Sequence, residues 1–544
     1  MAKMYFPQYA RGRKEGIYLI VGKSILEHMR KISGVEIDSE CGGKGICGMD
    51  MVRVEEGSEY LNDLTDSEKK FLKQGKLKKG QRLACQAKVT DDKKGIIVFI
   101  SNFGRYTILT DTIKRDIKLN PCVFKKKNKV FYNEGQELGS YKGKIYGLAI
   151  DVGTTTIVMQ VINLETGENI GNPVACKNPQ IAYGNDVISR IGYTMNNENG
   201  LAELQNAVVE GVNESLSELE KELGIKSGEV KENIYDVVVV GNSTMRRIFF
   251  GQDVKTLGVI PFEPLDKNSV IKKATHLGLD INPDALVYGA PLIGGHAGAD
   301  CLADIVAAGI YKNTEVSMII DIGTNGEVVV GNNNLILTAS CAAGGAYEGY
   351  QISCGVGAIA GAITEVKIDD SKIRYKTLDN KPALGICGSG VIDLLSELLK
   401  SKIMNKKGRI KNPFYLDDRV YITQDDINQL GIAKAGLRTD QDLLIKYYGT
   451  TIDKISKIYL AGAFGNYMNI DNAIAIGLLP DADKSKFIRL GNGALAGAID
   501  MLLSRKIRND SETLVKLITH TKPNEIEGEK FQYMVADNIY FNQK

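Results

Sequence analysis

Two short segments of this chain share one pattern, and this repetition limits the folds that the chain can adopt. Residues 146–159 read Tyr-Gly-Leu-Ala-Ile-Asp-Val-Gly-Thr-Thr-Thr-Ile-Val-Met, and residues 318–330 read Met-Ile-Ile-Asp-Ile-Gly-Thr-Asn-Gly-Glu-Val-Val-Val. Each predicts an apolar strand, a tight turn and a second apolar strand. One such turn would be weak evidence, since Asp-x-Gly turns occur in many hairpins. Two of them, with Asp151 and Asp321 170 positions apart, predict a domain-sized internal duplication.

The residues of these two turns suit the binding of phosphate groups. Glycine lets backbone amides turn toward phosphate oxygens, and threonine hydroxyls add donors. An aspartate at a strand end can hold Mg2+ through water or orient an attacking water. The chain has no Walker A motif. Taken together, these turns and further glycine-rich turns predict one nucleotide cleft between two related halves. The further turns occupy residues 237–244, 385–390, 456–466 and 491–497.

Composition narrows the class of protein. A chain of 544 residues is expected to form several domains. Its hydrophobic content of 43% and charged content of 25% are ordinary for a globular protein. A net charge of +2 gives no electrostatic argument for binding nucleic acid or a membrane. The first residues contain no apolar core of signal-peptide length, so we expect a cytoplasmic protein.

Near the N-terminus, a glycine-rich segment contains cysteines at near-ferredoxin spacing. Cys41 and Cys47 enclose Gly-Gly-Lys-Gly-Ile, Asp50 follows after two residues, and Cys85 lies in Arg-Leu-Ala-Cys. Thiolates are the usual ligands of iron–sulfur clusters, and the glycines let backbone N–H groups approach the sulfurs. The gap of five residues is one longer than the plant-type spacing and resembles that of adrenodoxin-like proteins. The pattern therefore predicts a 2Fe-2S loop.

Asp50 stands where the pattern has its third cysteine, and it allows two interpretations. A carboxylate is a competent, harder ligand for iron, so Cys41, Cys47, Asp50 and Cys85 are the predicted metal ligands. Alternatively, Asp50 marks a domain that has lost its cluster and only docks to partners. Zinc with the same four residues is a weaker alternative, because the glycine pattern gives no special reason for zinc.

Patterning divides the chain into three segments. Residues 1–92 have the strand–helix–loop–strand order of a β-grasp ferredoxin, and residues 93–143 resemble a linker with a small β element. The basic stretch 114–129 is expected to be a solvated face, with a docking patch for an acidic partner as the alternative. From residue 144, apolar strands alternate with glycine-rich turns and helices, which predicts an α/β multidomain architecture. The predicted halves span roughly 144–315 and 316–510, followed by a C-terminal extension whose structure is left open.

These motifs resemble those of a known superfamily. Asp151-Val-Gly-Thr-Thr, Asp321-Ile-Gly-Thr-Asn-Gly-Glu and Leu460-Ala-Gly-Ala-Phe-Gly are similar to the phosphate 1, phosphate 2 and adenosine motifs of the sugar kinase, actin and heat-shock chaperone ATPases. With residues 178–190, 241–245 and 291–300, the chain resembles the ferredoxin-domain ATPases that reductively activate corrinoid proteins. The resemblance implies an actin-like (ribonuclease-H-like) ATPase core over residues 144–544. Relatives usually have cysteine at the position of Asp50.

The resemblance also implies a function. Such activators transfer one electron from an iron–sulfur cluster to inactive Co(II) cobamide and form Co(I) in a methyltransferase system. That step is uphill, and ATP binding and hydrolysis drive it. The implied cofactors are a 2Fe-2S cluster, ATP and Mg2+. The implied partners are a corrinoid protein, a low-potential electron donor and, in a homodimer, a second copy of the chain.

The resemblance assigns roles residue by residue. Asp151 and Asp321 should position Mg2+ and the hydrolytic water, with Glu327 as a possible supporting group. The residues expected at the phosphates are Gly153, Thr154, Thr155, Gly323, Thr324, Asn325 and Gly326. The residues expected near the adenosine are Gly462, Ala463, Gly465 and Asn492.

Two other functions fit the same motifs. The first is a non-redox ATPase or kinase of the superfamily with a vestigial ferredoxin domain, which the Asp50 change favours. The second is an ATP-gated electron donor to another enzyme, such as a dehydratase or a reductase.

Overall fold

A computed structural model provides the structure of the protein, and its residues divide into two compact units. The first unit comprises residues 1–107 and 345–430, and the second comprises residues 108–344 and 431–544. The residues that the structure describes are 2–6, 16–31, 44–46, 48, 50–74, 77, 80–100, 115–184, 186–323, 325–341, 346–348, 352–369, 372–465 and 467–541.

The N-terminal part of the first unit is a five-stranded sheet with two short helices. The strand order is β2-β1-β5-β3-β4, and β1 pairs with β5 in parallel while the other pairs are antiparallel. This is the predicted β-grasp arrangement. Its elements are β1 (Lys3–Tyr5), β2 (Ile17–Tyr18), α1 (Ile25–Met29), β3 (Met51–Glu56), α2 (Asp66–Lys73), β4 (Gln81–Leu83) and β5 (Ile96–Ile100).

Both helices of this domain begin at capping boxes. The Ser24 side chain accepts a hydrogen bond from Glu27 N, and the Glu27 carboxylate accepts one from Ser24 N. Thr65 and Glu68 make the same reciprocal pair at the start of α2. Ser24 and Thr65 are therefore the N-caps of α1 and α2.

The second unit opens with a small antiparallel sheet, β6-β7-β8, within the segment predicted to be a linker. The lysines of its first hairpin are exposed, as expected for a solvated face. Strand β5 (Ile96–Ile100), which lies in the same segment, pairs within the ferredoxin sheet. The strands are β6 (Val123–Lys126), β7 (Lys129–Tyr132) and β8 (Gln136–Ser140).

The first large sheet of the second unit has six strands in the order β11-β10-β9-β12-β14-β13. Strand β9 pairs antiparallel with β10 and parallel with β12, and every residue of β12 is buried. A strand covered on both faces reads as a continuous apolar run, as Val237–Val240 does. The elements are β9 (Tyr146–Val152), β10 (Thr156–Asn163), β11 (Asn169–Lys177), α3 (Val187–Asn196), α4 (Gly200–Glu222), β12 (Ile234–Gly241), α5 (Ser243–Phe249), β13 (Val270–Lys273), α6 (Ala274–Leu277), β14 (Leu286–Gly289) and α7 (Ala299–Ala308).

The second large sheet has the order β24-β23-β15-β16-β17-β25, and its five strands from β17 to β24 repeat the order of β11-β10-β9-β12-β14, with β25 added at the edge beside β17. Strand β15 pairs antiparallel with β16 and parallel with β23, as β9 does with β10 and β12. The predicted duplication is thereby confirmed. The strands are β15 (Ser317–Ile322), β16 (Gly326–Gly331), β17 (Ile336–Cys341), β23 (Lys457–Ala461), β24 (Phe487–Gly491) and β25 (Ile518–His520).

An insertion between β17 and β23 belongs largely to the first unit, and nothing in the sequence indicated this grouping. It contains a three-stranded sheet in the order β19-β18-β20 and the hairpin β21-β22. The division between the units falls within α9. The elements are β18 (Ala362–Asp369), β19 (Lys372–Thr377), β20 (Gly385–Ile386), α8 (Gly388–Lys400), β21 (Phe414–Tyr415), β22 (Tyr421–Ile422) and α9 (Gln424–Tyr448).

Helices complete the second unit, including the extension that the sequence left open. There β25 adds a parallel edge strand to β17 and is followed by two helices. No helix in the described part of the chain is both long enough and apolar enough to cross a membrane. The remaining helices are α10 (Gly462–Gly465), α11 (Ile470–Ala475), α12 (Gly493–Leu503), α13 (Arg505–Leu514), α14 (Pro523–Glu527) and α15 (Glu529–Ile539).

Candidate functional site

The turn between β9 and β10 is a compact hairpin loop. Gly153 N donates a hydrogen bond of 3.0 Å to Thr156 O, which closes the turn. A Cβ at Gly153 would lie 2.6 Å from that same oxygen, so the turn requires glycine. Thr154 is buried, and its hydroxyl accepts a hydrogen bond of 3.0 Å from Asn242 Nδ2 at the start of α5.

Two buried polar residues support this loop from behind. Asn178 Nδ2 donates to Gly153 O at 2.8 Å, and Arg190 Nη2 donates to Thr154 O at 2.6 Å. Arg190 is fully buried, and this burial lowers its pKa to about 9. The sequence placed both residues only in the resembling segment 178–190 and assigned them no role. Their contacts fix the backbone of the turn rather than its side chains.

The turn between β15 and β16 resembles the first turn but is tighter. Gly323 N donates to Asn325 O at 3.0 Å, and Asp321 is half-buried between the buried Ile320 and Ile322 of β15. At Gly326, a Cβ would lie 2.8 Å from Leu437 Cδ1 of α9 and 3.2 Å from Cys341 Sγ. Thr324, which the sequence placed at the phosphates, lies outside the described residues.

Carboxylates gather around the two turns. Burial and the nearby Asp300 raise the pKa of Asp151 to about 7, and burial raises that of Asp300 to about 6. The pKa values of Asp304 and Glu327 are raised well above their usual ranges, first by burial and then by neighbouring carboxylates that include Asp321. Such an accumulation of buried negative charge favours a cationic or metal-bound ligand.

Asp300 and Asp304 were absent from the predicted site residues. Both lie on α7, and Asp300 Oδ1 accepts a hydrogen bond of 2.8 Å from Cys301 N. Their spacing of four residues places them on one helix face, and this was the available signal. In an otherwise apolar helix, two aspartates on one face indicate a polar site rather than core.

The glycine-rich elements after β23 and β24 reach both aspartates of the turns. Gly462 has φ +85°, and a Cβ there would lie 2.5 Å from Asp321 Oδ1. Asn492 Nδ2 donates to Asp151 Oδ2 at 3.1 Å, while its own Oδ1 caps α12 by accepting from Leu495 N. Gly465 packs on the backbone of Leu460. The side chain of Ala463 lies outside the described part of the structure.

Helix α12 crosses α7 at small residues, which brings the two halves of the second unit together. A Cβ at Gly497 would lie 2.1 Å from Ala303 O, and one at Gly493 would lie 2.2 Å from Asp304 Oδ1. The first half contributes α7 and the second contributes α12. The structure therefore brings the two hairpin turns, the carboxylates and the α12 N-terminus close together.

In the ferredoxin domain, two predicted metal ligands lie side by side. Asp50 is fully buried, and its Oδ2 accepts a hydrogen bond of 2.6 Å from Cys85 N. Its Oδ1 is buried and has no hydrogen-bond partner among the described residues. Cys85 is buried, and its Sγ accepts a hydrogen bond of 3.5 Å from Gln86 Nε2. One carboxylate oxygen of Asp50 is thus engaged by the backbone, while the other has no partner in the described part of the chain.

Glycines shape the loop beside these two residues. Gly45 and Gly48 have φ values of +72° and +70°. Their Cβ atoms would lie 2.6 Å from Gln86 Cδ and 2.3 Å from Phe71 Cε1, so neither position accepts a side chain. Cys41 and Cys47 lie outside the described residues. Within the part of the chain that is described, no three His, Cys, Asp or Glu side chains converge on a metal-sized space. Asp50, Cys85 and the glycine loop fit an iron–sulfur cluster.

Comparison with protein families divides the chain into three parts. Residues 12–90 match the 2Fe-2S iron-sulfur cluster binding domain. Residues 146–313 match the RACo middle region, and residues 315–543 match the C-terminal domain of RACo, the ASKHA domain. ASKHA denotes the acetate and sugar kinase, heat-shock chaperone and actin superfamily.

Two curated relatives span most of the chain. The corrinoid activation enzyme RamQ of Eubacterium limosum is 33% identical over 428 residues, which cover 73% of this chain and 71% of RamQ. A [Co(II) methylated amine-specific corrinoid protein] reductase of Methanosarcina barkeri is 26% identical over 69% of this chain and 73% of its own length. A solved structure of a reductive activator for corrinoid,iron-sulfur protein aligns with a TM-score of 0.72 at 27% identity, covering 99% of this chain and 98% of that one.

The fold and the family matches define an iron–sulfur ATPase, in which a 2Fe-2S ferredoxin domain precedes a duplicated actin-like core. The chain belongs to the RACo family of reductive activators. The predicted fold class and family are confirmed.

Proposed function

We propose that this protein reductively activates a corrinoid protein at the expense of ATP. One electron leaves the reduced 2Fe-2S cluster and reduces Co(II) cobamide to Co(I), while ATP and water yield ADP and phosphate. A low-potential donor returns one electron to the cluster. The observation that most supports this proposal is the presence, in one chain, of a ferredoxin loop with a buried Asp50–Cys85 pair and a duplicated aspartate–glycine cleft.

Cys41, Cys47, Asp50 and Cys85 would hold the cluster, which supplies a one-electron couple when bound. No donor among the described residues reaches Asp50 Oδ1, and a buried carboxylate oxygen without a partner is costly, which supports the assignment of Asp50 as fourth ligand. Its other oxygen, Oδ2, accepts a hydrogen bond from Cys85 N and so fixes the backbone of Cys85, the neighbouring proposed ligand. The Gln86 amide next to Cys85 Sγ would stabilise negative charge on that sulfur.

In the cleft, Asp151 and Asp321 would position Mg2+ and the hydrolytic water. The raised pKa of Asp151, about 7, fits a carboxylate that awaits a cation. Mg2+ usually keeps several waters and binds through nucleotide phosphates. The backbone and hydroxyl groups proposed to bind the phosphates are those of Gly153, Thr154, Thr155, Gly323, Thr324, Asn325 and Gly326. Gly462, Ala463, Gly465 and Asn492 would lie near the adenosine.

The thermodynamics of the reaction require that electron transfer to cobalt be coupled to ATP hydrolysis. Co(I) is a very strong reductant, so reduction of Co(II) is uphill for a ferredoxin-type cluster. The two halves of the core meet at the α7–α12 crossing. A nucleotide that binds between them can favour one of two arrangements of the halves. That choice can in turn favour one arrangement of the complex between this protein and the corrinoid protein. We further propose that the protein works as a cytoplasmic homodimer, which sedimentation velocity would test.

Asp321→Ala tests the proposed roles of the cleft. The variant should lose ATP turnover and ATP-dependent Co(I) formation, because the carboxylate expected to position Mg2+ and water is missing. Its visible and EPR spectra should match those of the wild type, since the cluster ligands are untouched. Asp471→Ala is the matched control, because Asp471 is exposed and its ion pair is with the exposed Lys484. Normal hydrolysis by the Asp321 variant would refute this assignment of the cleft.

A further inference from the structure

Helix α2 of the ferredoxin domain has an inner face and an outer face. Glu68 is fully buried and Phe71 is half-buried, and their spacing of three residues places both on the inner face. The outer face carries exposed side chains, those of Lys69, Lys70, Leu72 and Lys73. We call these four residues the lysine face.

The inner face fixes α2 to both segments that carry predicted cluster ligands. Glu68 Oε1 accepts a hydrogen bond of 3.0 Å from Leu83 N, two residues before Cys85. Phe71 lies against the cluster loop, because a Cβ at Gly48 would be 2.3 Å from Phe71 Cε1. The lysine face is therefore presented by a helix that contacts the cluster loop and supports the strand leading to Cys85.

The charge of this region differs from that of the whole chain. Residues 69–79 contain six lysines and no acidic residue, whereas the chain as a whole carries 68 lysines and arginines and 66 acidic residues. Glu68 does not offset these lysines, because its buried carboxylate forms an ion pair of 2.8 Å with Arg82. The exposed Asp66 lies 3.6 Å from Lys69 Nζ and is one negative charge beside the three lysines of the face. The lysine face is therefore positive.

Exposed apolar side chains accompany the lysines. Ile46, in the cluster loop, is 66% exposed, and Leu72 on α2 is 41% exposed. Their two segments touch where Phe71 packs at Gly48. Lys44, beside Ile46, is also exposed. Apolar side chains with a charged rim are typical of a surface that binds another protein.

We propose that the lysine face and Ile46 form the docking surface for an acidic electron-carrier protein that reduces the cluster. The lysines attract and orient the acidic carrier, while Ile46 and Leu72 make the apolar contact. One electron then passes from the reduced carrier to the oxidised cluster, and the oxidised carrier leaves. The role of this carrier rests on the proposed function, which requires a low-potential donor.

Two arguments favour a carrier over the corrinoid protein at this surface. The surface consists of one helix face and one loop of the ferredoxin domain, which suits the small interfaces of transient electron-transfer complexes. A complex whose arrangement depends on ATP needs contacts with the ATP-binding core, and the proposed surface contains no residue of that core. Reduction of the cluster by a carrier needs no ATP.

The test measures how fast an acidic carrier reduces the cluster. The oxidised protein is mixed anaerobically with a pre-reduced, strongly acidic bacterial 4Fe-4S ferredoxin, without ATP or corrinoid, at increasing NaCl concentrations. The wild-type second-order rate constant should fall steeply as salt screens the attraction. The triple variant Lys69→Gln, Lys70→Gln and Lys73→Gln should react about tenfold more slowly at low salt and depend less on salt.

Two controls accompany this variant. Lys367→Gln, Lys372→Gln and Lys376→Gln together remove three exposed lysines from β18 and β19 of the same compact unit. This control changes the net charge equally, so it should react at the wild-type rate. A neutral reductant, deazaflavin semiquinone, should reduce the cluster of all three proteins at one rate, which checks that the cluster is intact.

Cross-linking gives a readout that does not depend on electron transfer. A carbodiimide joins lysine amines to carboxylates that they touch, and peptide mass spectrometry locates the links. In the wild type, the lysines of α2 should be linked to carboxylates of the ferredoxin, and those of β18 and β19 should not. Links at the β18 and β19 lysines with none at α2 would overturn the proposal.

The kinetic outcomes are equally distinct. Slower reduction of the α2 variant, with both controls unchanged, supports the docking surface. Equal rates for the α2 variant and the lysine control overturn it, as does a wild-type rate that salt does not change. If the α2 variant is reduced normally but loses ATP-driven Co(I) formation, the surface binds the corrinoid protein and the proposal is wrong. A smaller sedimentation coefficient of this variant would assign the surface to a second copy of the chain and also overturn the proposal.

Failure of the proposed function would look different. The wild type would then form no Co(I), while its cluster would still be reduced by the ferredoxin at a salt-dependent rate.

Discussion

At the scale of single residues, Asp50 has the largest consequence for the chemistry. Asp50→Cys places a thiolate where the ferredoxin-type pattern has its third cysteine, and thiolate is a softer ligand for iron than carboxylate is. The variant should hold a more robust cluster, with a changed visible spectrum and a shifted midpoint potential. Iron and sulfide analysis, the visible spectrum and a redox titration measure these changes.

Asp50→Asn is the matched control for this prediction. The amide oxygen can still accept the hydrogen bond from Cys85 N, while the anionic ligand is lost. If Asp50 is a ligand, this variant should bind less iron than the wild type. An unchanged spectrum and iron content in both variants would mean that Asp50 is not a ligand.

Asp440 gives a prediction about pH. It is buried on α9, and burial raises its pKa to about 7. The folded state therefore holds a proton that the unfolded chain releases above about pH 4, and stability falls as the pH rises from about 4 to about 7. Asp440→Asn removes this penalty, so its stability relative to the wild type should increase by about 3 kcal/mol between pH 5 and pH 8.

Melting temperatures of the nucleotide-free protein at pH 5 and pH 8 measure this difference. Asp442→Asn is the control, because Asp442 is partly exposed and pairs with Arg438 on the same helix. Asp442→Asn should change the melting temperature by the same small amount at both pH values. An equal effect of Asp440→Asn at pH 5 and pH 8 would show that Asp440 does not hold the proton.

The site residues in the two turns could be predicted because the pattern that identifies them lies within one short segment of sequence. Asp151 and Asp321 each follow an apolar strand and precede glycine, and this pattern is readable within ten residues. Arg190 was given no role because its partner, Thr154, is distant in sequence, whereas Asp304 had a local signal in its spacing from Asp300 that was not used. The site-residue roles themselves remain predictions.

At the scale of elements, hairpins and strand–helix turns were predictable and their packing was not. Both β9–β10 and β15–β16 follow from alternation of apolar residues around a turn. The position of β25 beside β17 depends on a pairing between residues about 180 positions apart. The grouping of residues 345–430 with the ferredoxin domain likewise depends on long-range contacts such as that between Arg53 and Ser353.

The crossing of α7 and α12 gives a prediction about an element. Gly497→Ala places a Cβ 2.1 Å from Ala303 O, so the helices must separate. We expect a loss of about 1–3 kcal/mol in the free energy of unfolding and weaker nucleotide binding. Thermal unfolding and titration with a nucleotide measure both effects.

Gly436→Ala on α9 is the control, because its Cβ would lie 3.5 Å from Cys341 Cβ, an ordinary contact distance. Alanine favours the helix over glycine, so this variant should be neutral or slightly stabilised. A Gly497 variant that melts with the wild type and binds nucleotide normally would show that the crossing tolerates separation.

At the scale of the whole molecule, fold class and family followed from motifs in combination. Neither the cysteine loop nor one Asp-x-Gly-Thr turn is specific for this family. The combination of a ferredoxin loop and a duplicated actin-like core that follows it is specific for the family. The boundaries at residues 92 and 143 remain predictions. The identity of the corrinoid partner depends on a docking surface that no local pattern reveals.

The central claim is that ATP drives one electron from the cluster to cobalt. The most direct measurement mixes the pre-reduced protein anaerobically with a Co(II) corrinoid protein and follows cluster and cobalt absorbance, with and without Mg2+ and ATP. The account predicts that cluster oxidation and Co(I) formation proceed at one rate, in equal amounts, and only with ATP. Co(I) formation that is equally fast without ATP, or ATP hydrolysis while the cluster stays reduced, would contradict it.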